Sequence, residues 1–406
     1  MDRTHHVYLI PGFLGFASLG QLSYFGHVRR ILATRLAAAG LDARIHVVHT
    51  PPTASLPKRA ARLAATIAAT AGDDTSPLHL IGHSSGGLDA RLFIAPEVTL
   101  PTSLDVARLG ARVRSVVTVA TPHHGTPLAS FFTTLRGQQL LQVLSLLTMY
   151  ILHFGHLPLA GLLWMASHVV RLGGLLGNNE LLDELFGRLL EDFTPARRRS
   201  VRAMLREVVR DQALMLQLTP EAMEVFNASV LPRAGVRYGA VVTEAAPPSL
   251  CSTIAVGLDP AAQVTHGLYR VLYPLAAATP RHLSPRLAPE TARTLRHAYR
   301  ATPSAAANDG IVPTRSQAWG NVLHATVADH LDVLGHFRDA SLDPPHVDWL
   351  VSGSAFDRPR FEALWGDVAH FLTAGAGAAE GSARAGDRGG IRVAASPGAR
   401  RVLSAR

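Results

Sequence analysis

The first 120 residues alternate between short apolar runs and longer stretches whose apolar positions have helical spacing. Each apolar run is too short for a typical helix and predicts a strand that is buried on both faces. The predicted strands are residues 7–10, 43–48, 78–81 and 113–120, and the predicted helices are residues 24–39, 56–70 and 86–93. Strands that alternate with helices predict a mostly parallel sheet flanked by helices, so the predicted fold class is α/β.

An uncharged block interrupts this alternation. Residues 137–170 contain no Asp, Glu, Lys or Arg, and no acidic residue occurs between Asp105 and Glu180. The block is long enough for a membrane span of about 20 residues. Its three histidines, its glycines and Pro158 favour instead a cap over an apolar site, although an amphipathic helix at a lipid surface would have the same composition. The sequence leaves all three interpretations open.

The rest of the chain returns to a pattern of helices and strands. Residues 180–193 carry leucines and a phenylalanine on one stripe, and Thr194 with Pro195 is typical of the start of another helix. Strands are predicted at 236–242 and 322–327, a Pro-rich polar insertion near 244–307, and a closing helix at 361–372. The predicted organisation is therefore a core formed by residues 1–127 and 218–373, a helical cap at 128–217 and a disordered basic tail at 374–406.

Composition narrows the classes of partner and compartment. Of the formal net charge of +9, the tail carries six arginines against two acids, which leaves +5 for the body. No cluster of basic and aromatic residues indicates a nucleic-acid partner, whereas an anionic membrane surface is compatible with this charge. The single cysteine, Cys251, excludes an intrachain disulfide and a thiolate metal cluster. Because the N-terminus lacks the apolar segment of a cleaved signal peptide, we expect a cytoplasmic protein, with peripheral membrane association also compatible.

Two adjacent serines lie in the sequence GHSSGG, between a predicted strand and the helix that follows it. The pattern Gly-x-Ser-x-Gly fits Gly82, Ser84 and Gly86, and its small residues allow a turn tight enough to expose the hydroxyl. The same pattern centred on Ser85 would need a glycine where His83 stands. Ser84 is therefore the predicted nucleophile, and the backbone N–H of Ser85 is a predicted oxyanion donor. The alternative is a purely structural glycine turn.

At these residues the chain resembles the α/β-hydrolase superfamily, and within it the bacterial triacylglycerol lipases and related esterases. The resemblance rests on GHSSGG and four further segments, and covers roughly residues 5–130 and 215–340. IPGFLG, at residues 10–15, stands where the family has its oxyanion segment, with Pro11 in place of the usual histidine. This position implies that the backbone N–H of Phe13 is the second oxyanion donor. VATPHHGTPLA, at residues 119–129, is similar to the segment that precedes the cap, and its two histidines are predicted to be scaffold.

The same resemblance implies the other two members of a catalytic triad. In NDGIVP, residues 308–313, Asp309 stands where the family carries the carboxylate that orients the imidazole and stabilises its charge. In DHLDVLG, residues 329–335, His330 follows the last predicted strand and is the predicted general base. These positions complete the chain order Ser, Asp, His that is typical of this fold.

Other acids and histidines compete for these two roles. Asp309 is also compatible with an ordinary Asp-Gly turn. Asp329 and Asp332 lie beside His330 rather than on a loop of their own, which makes them weaker candidates for the acid. His324 is predicted to lie within a strand, and His336 about a turn and a half down a following helix.

Lipases of this type often hold a structural calcium ion near the histidine loop. Asp332 matches one ligand position, whereas His336 stands where the family usually has a glutamine, and Glu290 is only a guess for an upstream acid. Calcium requires six or more oxygen ligands, so the sequence predicts no metal site and no cofactor.

Together these residues predict a serine carboxylester hydrolase, lipase-like, that cleaves esters of apolar acyl chains through Ser84, Asp309, His330 and an acyl-enzyme. The uncharged cap favours a lipid or another apolar ester as substrate, and contact with a membrane or lipid interface through the cap. An acyltransferase or thioesterase with the same triad is the first alternative. A non-catalytic, membrane-associated binding protein on a hydrolase scaffold is the second.

Overall fold

The structure, a computed structural model, describes residues 4–13, 24–72, 74–154, 179–339 and 348–374. Six parallel strands form one sheet in the order β2-β1-β3-β4-β5-β6. The strands are β1 (His5–Ile10), β2 (Ala43–Val47), β3 (Leu78–His83), β4 (Val113–Val119), β5 (Arg237–Glu244) and β6 (Asn321–Val327). Since helices flank this sheet, the predicted α/β class is confirmed.

Helices connect the strands and cover both faces of the sheet, as parallel pairing requires. In the first half of the described chain they are α1 (Gly26–Ala38), α2 (Leu56–Ala71), α3 (Gly86–Ile94), α4 (Val106–Gly110), α5 (Pro127–Phe132), α6 (Leu135–Phe154) and α7 (Asn179–Glu191). In the second half they are α8 (Pro195–Arg210), α9 (Ala213–Gln217), α10 (Pro220–Ser229), α11 (Leu250–Ala255), α12 (Pro260–Ala276), α13 (Pro289–Tyr299), α14 (Thr314–Gln317) and α15 (Arg358–Thr373).

The strand order reverses between β1 and β3. From β1 the chain crosses to β2, which pairs with one edge of β1, and it then returns to β3, which pairs with the other edge. In open parallel sheets, ligands bind beyond the carboxyl ends of the strands at such a reversal, because the connecting loops diverge there. The segments that follow β1 and β3 are the predicted oxyanion segment and the serine turn, so the topology brings these two together.

The described part of the uncharged block is a buried helix. Leu141, Leu146 and Met149 of α6 are fully buried, because α6 packs against α5, α7 and α8. Among the described residues, no helix combines the length and apolar character that a bilayer crossing needs. The remainder of the block, from residue 155 to 170, lies outside the described residues.

The region predicted as a Pro-rich polar insertion contains three helices, α11 to α13. Its prolines do not exclude helices, because Pro260 and Pro289 stand at helix starts, where the missing N–H would have no partner within the helix. Tyr269 and Leu272 of α12 are buried, so this region also contributes to the hydrophobic core. Because its loops are polar, the sequence did not predict these helices.

The closing helix joins the end of the described chain to the segment after β6. In α15, Trp365 is fully buried, and its Nε1 donates a hydrogen bond to the carbonyl oxygen of Val333, at 2.9 Å. The helix begins at Arg358 rather than 361, because Asp357 caps it and Pro359 fits the first turn. The predicted tail from 375 onward lies outside the described residues.

Candidate active site

The turn after β3 holds Ser84 in a conformation that most residues avoid. Its φ angle is +54°, in the left-handed region. The backbone N–H of Ser84 donates to the carbonyl of Val119 at the end of β4, at 2.9 Å, and its carbonyl accepts from the N–H of Gly87, at 3.1 Å. The turn is therefore fixed from both sides, as is typical of a nucleophile held on a sharp strand-to-helix turn.

Glycines allow the backbone around Ser84 to approach closely. A Cβ atom on Gly86 would lie 2.2 Å from the carbonyl oxygen of Ile10, so helix α3 can pass this close to the end of β1 only without a side chain. A Cβ atom on Gly12 would lie 2.6 Å from the Ser84 Cβ and 3.1 Å from its Oγ. The segment after β1 is thus in van der Waals contact with the serine side chain.

The carboxylate of Asp309 is buried and accepts five hydrogen bonds. Its Oδ1 accepts from the backbone N–H groups of Ile311 (3.0 Å) and Val312 (2.8 Å). Its Oδ2 accepts from the Thr243 hydroxyl (2.7 Å), the Gln317 side-chain amide (3.1 Å) and the ring of His330 (2.9 Å). Thr243 lies on β5 and Gln317 on α14, so two elements besides the acid's own loop hold this carboxylate in place.

His330 lies in the loop after β6 with a defined tautomer. The Asp309 Oδ2 atom accepts, so His330 Nδ1 carries the hydrogen and the lone pair of the neutral ring is on Nε2. The loop is also fixed through its backbone, because the N–H of His330 donates to the Asp309 carbonyl, at 3.0 Å. The His330 ring centroid is 4.6 Å from that of His83, the residue before Ser84. The structure thus brings the predicted base beside both the predicted acid and the serine turn.

A buried hydrogen-bond chain links the three loops of the site. His83 Nε2 lies 3.0 Å from the His330 carbonyl oxygen, which can only accept, so Nε2 carries the hydrogen and Nδ1 the lone pair. The Tyr24 hydroxyl must then donate to His83 Nδ1, at 2.7 Å, and its oxygen accepts from the N–H of Gly12, at 3.4 Å. Burial holds the pKa of His83 well below its usual value, consistent with a neutral ring. We define Gly12, Tyr24, His83 and the His330 carbonyl as the Tyr24 chain.

The predicted oxyanion donors occupy the two segments that meet at the strand reversal. Phe13 is buried in the turn after β1, and Ser85 lies immediately before α3. The Ser85 hydroxyl is buried with no hydrogen-bond partner among the described residues, so its side chain does not hold the turn. Arg59 of α2 donates to the Pro11 carbonyl at 2.7 Å and pairs with Asp89 of α3, also at 2.7 Å. This fully buried arginine ties the Phe13 segment to the helix that follows Ser84.

The two competing histidines, His324 and His336, contact other groups. His324 Nδ1 lies 2.8 Å from the Asp367 carboxylate of α15, on the helix-covered side of β6. His336 stacks on Trp349, with ring centroids 4.5 Å apart. The prediction that His336 lies in a helix is wrong, because the 3-10 turn Asp332–Leu334 ends at Gly335, whose φ of +94° stops it.

The histidine pair after β4 is part of the framework. His123 is buried, accepts from Arg91 through Nδ1 (3.1 Å) and contacts the Thr118 hydroxyl through Nε2 (3.1 Å). Burial lowers the pKa of His123 well below its usual value and that of His124 to about 4. Both rings are therefore neutral near pH 7, as scaffold residues would be.

Three carboxylates beside the loop that carries His330, which we call the base loop, are suited to a metal ion. Asp329, Asp332 and Asp348 each place an oxygen within 4.8 Å of the others. Burial raises the pKa of Asp329 to about 6, and burial together with the Asp329 charge raises the pKa of Asp332 and of Asp348. This set fits Ca²⁺, because three carboxylates offer up to six hard oxygen ligands and a cation would offset their repulsion. Glu290 is exposed at the start of α13 and does not belong to the set.

Comparison with known proteins supports the fold at low sequence similarity. No family model and no curated protein matches the chain. The lipase of Staphylococcus hyicus superposes with a TM-score of 0.50 over 93% of this chain and 97% of its own, at 15% sequence identity. The chain has the α/β-hydrolase fold.

Two further solved structures match the chain with lower scores. EstA from Clostridium botulinum has 17% identity and a TM-score of 0.47 over 87% of this chain and 86% of its own. Lipase 1 from Pelosinus fermentans has 18% identity and a TM-score of 0.46 over 90% of this chain and 99% of its own. At 15% identity, the similarity to the Staphylococcus hyicus lipase shows the fold alone and leaves the chemistry to the site itself.

Proposed function

We propose that the protein is a serine carboxylester hydrolase with Ser84 as nucleophile, His330 as general base and Asp309 as the acid that orients the base. The observation that carries the proposal is the ring of His330, whose Nδ1 is held by the Asp309 carboxylate and which lies beside the turn that presents Ser84. This arrangement leaves Nε2 free of the proton it would take from a serine hydroxyl.

The chemistry follows from these roles. His330 takes the proton of Ser84, whose oxygen attacks the ester carbonyl, and the tetrahedral oxyanion accepts hydrogen bonds from the N–H groups of Phe13 and Ser85. Collapse expels the alcohol, which receives its proton from His330, and leaves an acyl-enzyme. Water then attacks the acyl carbonyl while His330 takes its proton; the bond to the Ser84 oxygen breaks, that oxygen receives the proton from His330, and the carboxylic acid leaves. Loss of one oxyanion donor would raise the barrier by about 3 kcal/mol.

We further propose an apolar ester as substrate, with residues 128–217 forming a cap over a core built from 1–127 and 218–373. The apolar helix α6 and its packing against α5 and α8 support a cap that excludes charged substrates. Each buried methylene of an acyl chain adds about 0.8 kcal/mol of binding free energy. We therefore expect a preference for longer acyl chains and contact with a lipid interface.

The two adjacent serines provide the decisive test. Hydrolysis of a nitrophenyl ester series is expected to fall at least about 10⁴-fold in Ser84→Ala, which lacks the attacking oxygen. Ser85→Ala keeps the backbone N–H and removes only a buried hydroxyl that has no hydrogen-bond partner among the described residues, so activity is expected within about threefold of wild type. Both activities are measured as kcat/KM under identical conditions.

The same pair of variants separates this proposal from its rivals. A serine-directed fluorophosphonate should label wild type and Ser85→Ala but not Ser84→Ala. Labelling that persists in Ser84→Ala, or equal activity in the two variants, would contradict the assignment of Ser84. Products formed with and without an added alcohol distinguish hydrolysis from acyl transfer, because a transferase would convert the alcohol to an ester.

A further inference from the structure

Three aliphatic side chains project into solvent beside the carboxyl end of β5. Leu250 and Ile254, one turn apart on α11, are each 78% exposed, and Leu258 in the turn that follows is 99% exposed. Single exposed aliphatic residues are common on soluble proteins, but three within nine residues are not. We define Leu250, Ile254 and Leu258 as the aliphatic ridge.

The ridge rests on a well-anchored support. Ser249 and Ser252 cap α11 reciprocally, and the Gln263 side chain donates to the Gly257 carbonyl in the following turn, at 2.6 Å. His266 of α12 lies 3.2 Å from the Thr253 hydroxyl and donates to the carbonyl of Val351, at 2.8 Å. The exposed side chains therefore belong to a fixed surface that is attached to the base-loop side of the fold.

The position of the ridge relates it to the candidate active site. Helix α11 follows β5 directly at its carboxyl end, the edge of the sheet that also carries Ser84 and His330. The next residue after β5, Ala245, pairs with Asn308, which adjoins Asp309. A surface bound by the ridge would thus lie at the edge of the sheet where substrate must enter.

The residues next to the ridge along the chain favour an uncharged partner. Asp259 is the only charged residue between positions 245 and 269. Four exposed arginines lie on one side of α8, at positions 199, 202, 206 and 210, and Arg270 of α12 is exposed one residue beyond this stretch. The stretch that carries the ridge itself has no basic residue to attract anionic lipid headgroups, whereas aliphatic side chains partition into any apolar phase.

The area of the ridge is too small for a stable dimer. Three leucine-sized side chains expose on the order of 450 Å², whereas a stable interface buries about 800 Å² per partner. We propose that the aliphatic ridge inserts into the surface of a neutral ester droplet and so docks the protein with its substrate edge facing the lipid. The nature of the droplet rests on the proposed function, but the binding step does not require catalysis.

Droplet binding can be measured without turnover. In full-length Ser84→Ala protein, flotation with a neutral triacylglycerol emulsion reports binding while the substrate stays intact. The triple variant Leu250→Ser, Ile254→Ser, Leu258→Ser in this background is expected to bind on the order of 100-fold more weakly, because three insertions are lost. Binding by the parent should be unchanged between about 0.05 and 0.5 M NaCl, since no ion pairs contribute.

A control variant removes three exposed aliphatic side chains elsewhere on the surface. Leu216, Val225 and Leu231 are also exposed and lie outside the ridge, so their triple serine variant is expected to float like the parent. The ridge substitutions placed in the wild-type chain should leave hydrolysis of a dissolved short-chain ester unchanged and lower that of the emulsion. Inactivity of wild type on every ester would refute the proposed function alone, because flotation is scored separately.

Four results would overturn the docking proposal. One is flotation of the ridge variant at parental levels, and another is an equal loss in the control. Binding that requires anionic lipid and weakens with salt would assign docking to the arginines of α8 instead. If gel filtration showed a dimer that the ridge variant converts to a monomer, the ridge would be an interface between two copies.

Discussion

The Tyr24 hydroxyl both accepts and donates a hydrogen bond in the Tyr24 chain. It receives the N–H of Gly12 and donates to His83, whose other nitrogen is committed to the His330 carbonyl. The Gly12 N–H can only donate and His83 Nδ1, in this tautomer, can only accept. Removing the hydroxyl therefore leaves a buried donor and a buried acceptor unpaired. Tyr24 thus fixes the proposed oxyanion segment relative to the loop of His330, which makes it a candidate positioning residue.

Tyr24→Phe is expected to lower kcat about tenfold, because small displacements of the oxyanion donors act mainly in the transition state, and to leave KM within about twofold. Unfolding free energy should fall by about 1–3 kcal/mol. Tyr8→Phe is the matched control: Tyr8 is equally buried, and its hydroxyl bonds to Thr70, away from the site, at 2.8 Å. The control should lose stability but keep kcat, as measured by steady-state kinetics and urea unfolding. Wild-type kcat in Tyr24→Phe would contradict the positioning role.

Sequence reasoning reached the residues that stand in local motifs and missed those that act across the fold. Ser84, Asp309 and His330 each lie in a short recognisable segment, and the structure places Asp309 and His330 in hydrogen-bond contact. Tyr24 and Arg59 lie in ordinary helical or turn sequence, and some of their partners are far away along the chain: His83 is 59 residues from Tyr24, and Pro11 is 48 residues from Arg59. Only the strand order brings such partners together, so no spacing rule could have selected them.

At the scale of elements, Arg59 joins α2, α3 and the segment after β1. Its guanidinium bonds to both oxygens of Asp89 and to the carbonyls of Pro11, Pro51 and Pro52. Both charged side chains are fully buried. A buried ion pair of this kind contributes little net free energy compared with apolar packing, but breaking it from one side is costly, because the remaining charge has no solvent.

Asp89→Asn is therefore expected to lower the free energy of unfolding by about 3–5 kcal/mol, measured by urea denaturation. The substitution keeps the size of the side chain and removes the charge that compensates Arg59. Glu184→Gln serves as the control, because Glu184 pairs with Arg188 on the exposed side of α7 and should change stability by less than about 0.5 kcal/mol. A loss in Asp89→Asn no larger than in the control would show that Arg59 is solvated or compensated in another way.

The elements themselves were predictable where burial dictates the sequence. The apolar runs of β1 and β4 predicted their positions to within two residues, because strands buried on both faces tolerate few polar side chains. The helices α11 to α13 were not predicted, since prolines at helix starts read as breaks along the chain. The sequence also did not predict that the 3-10 turn ends at Gly335, because glycine allows a positive φ without requiring one.

At the scale of the whole molecule, the carboxylates of Asp329, Asp332 and Asp348 connect the loop after β6 with the segment before α15. The Ser352 hydroxyl donates to Asp329, at 2.8 Å, and the Ser354 hydroxyl to Asp332, at 2.7 Å. Raised pKa values mean that the folded protein binds protons that the unfolded chain releases. In the absence of a cation, this cluster therefore contributes stability below about pH 4, and the contribution is lost as the pH rises through about 6 and beyond.

Calcium should reverse this loss, because it binds the ionised carboxylates. Adding Ca²⁺ to chelator-treated protein at pH 8 is expected to raise Tm by about 3–5 °C at a concentration near 100 times Kd, and to have little effect at pH 5, where protons compete. Asp348→Asn should abolish the shift, whereas Glu290→Gln, outside the cluster, should retain it. A shift that is the same at both pH values, or one that survives in Asp348→Asn, would place calcium elsewhere. Because Asp329 and Asp332 flank His330, a cation held here would also stabilise the loop that carries the proposed general base, and the same titration should raise the proposed esterase activity in parallel with Tm.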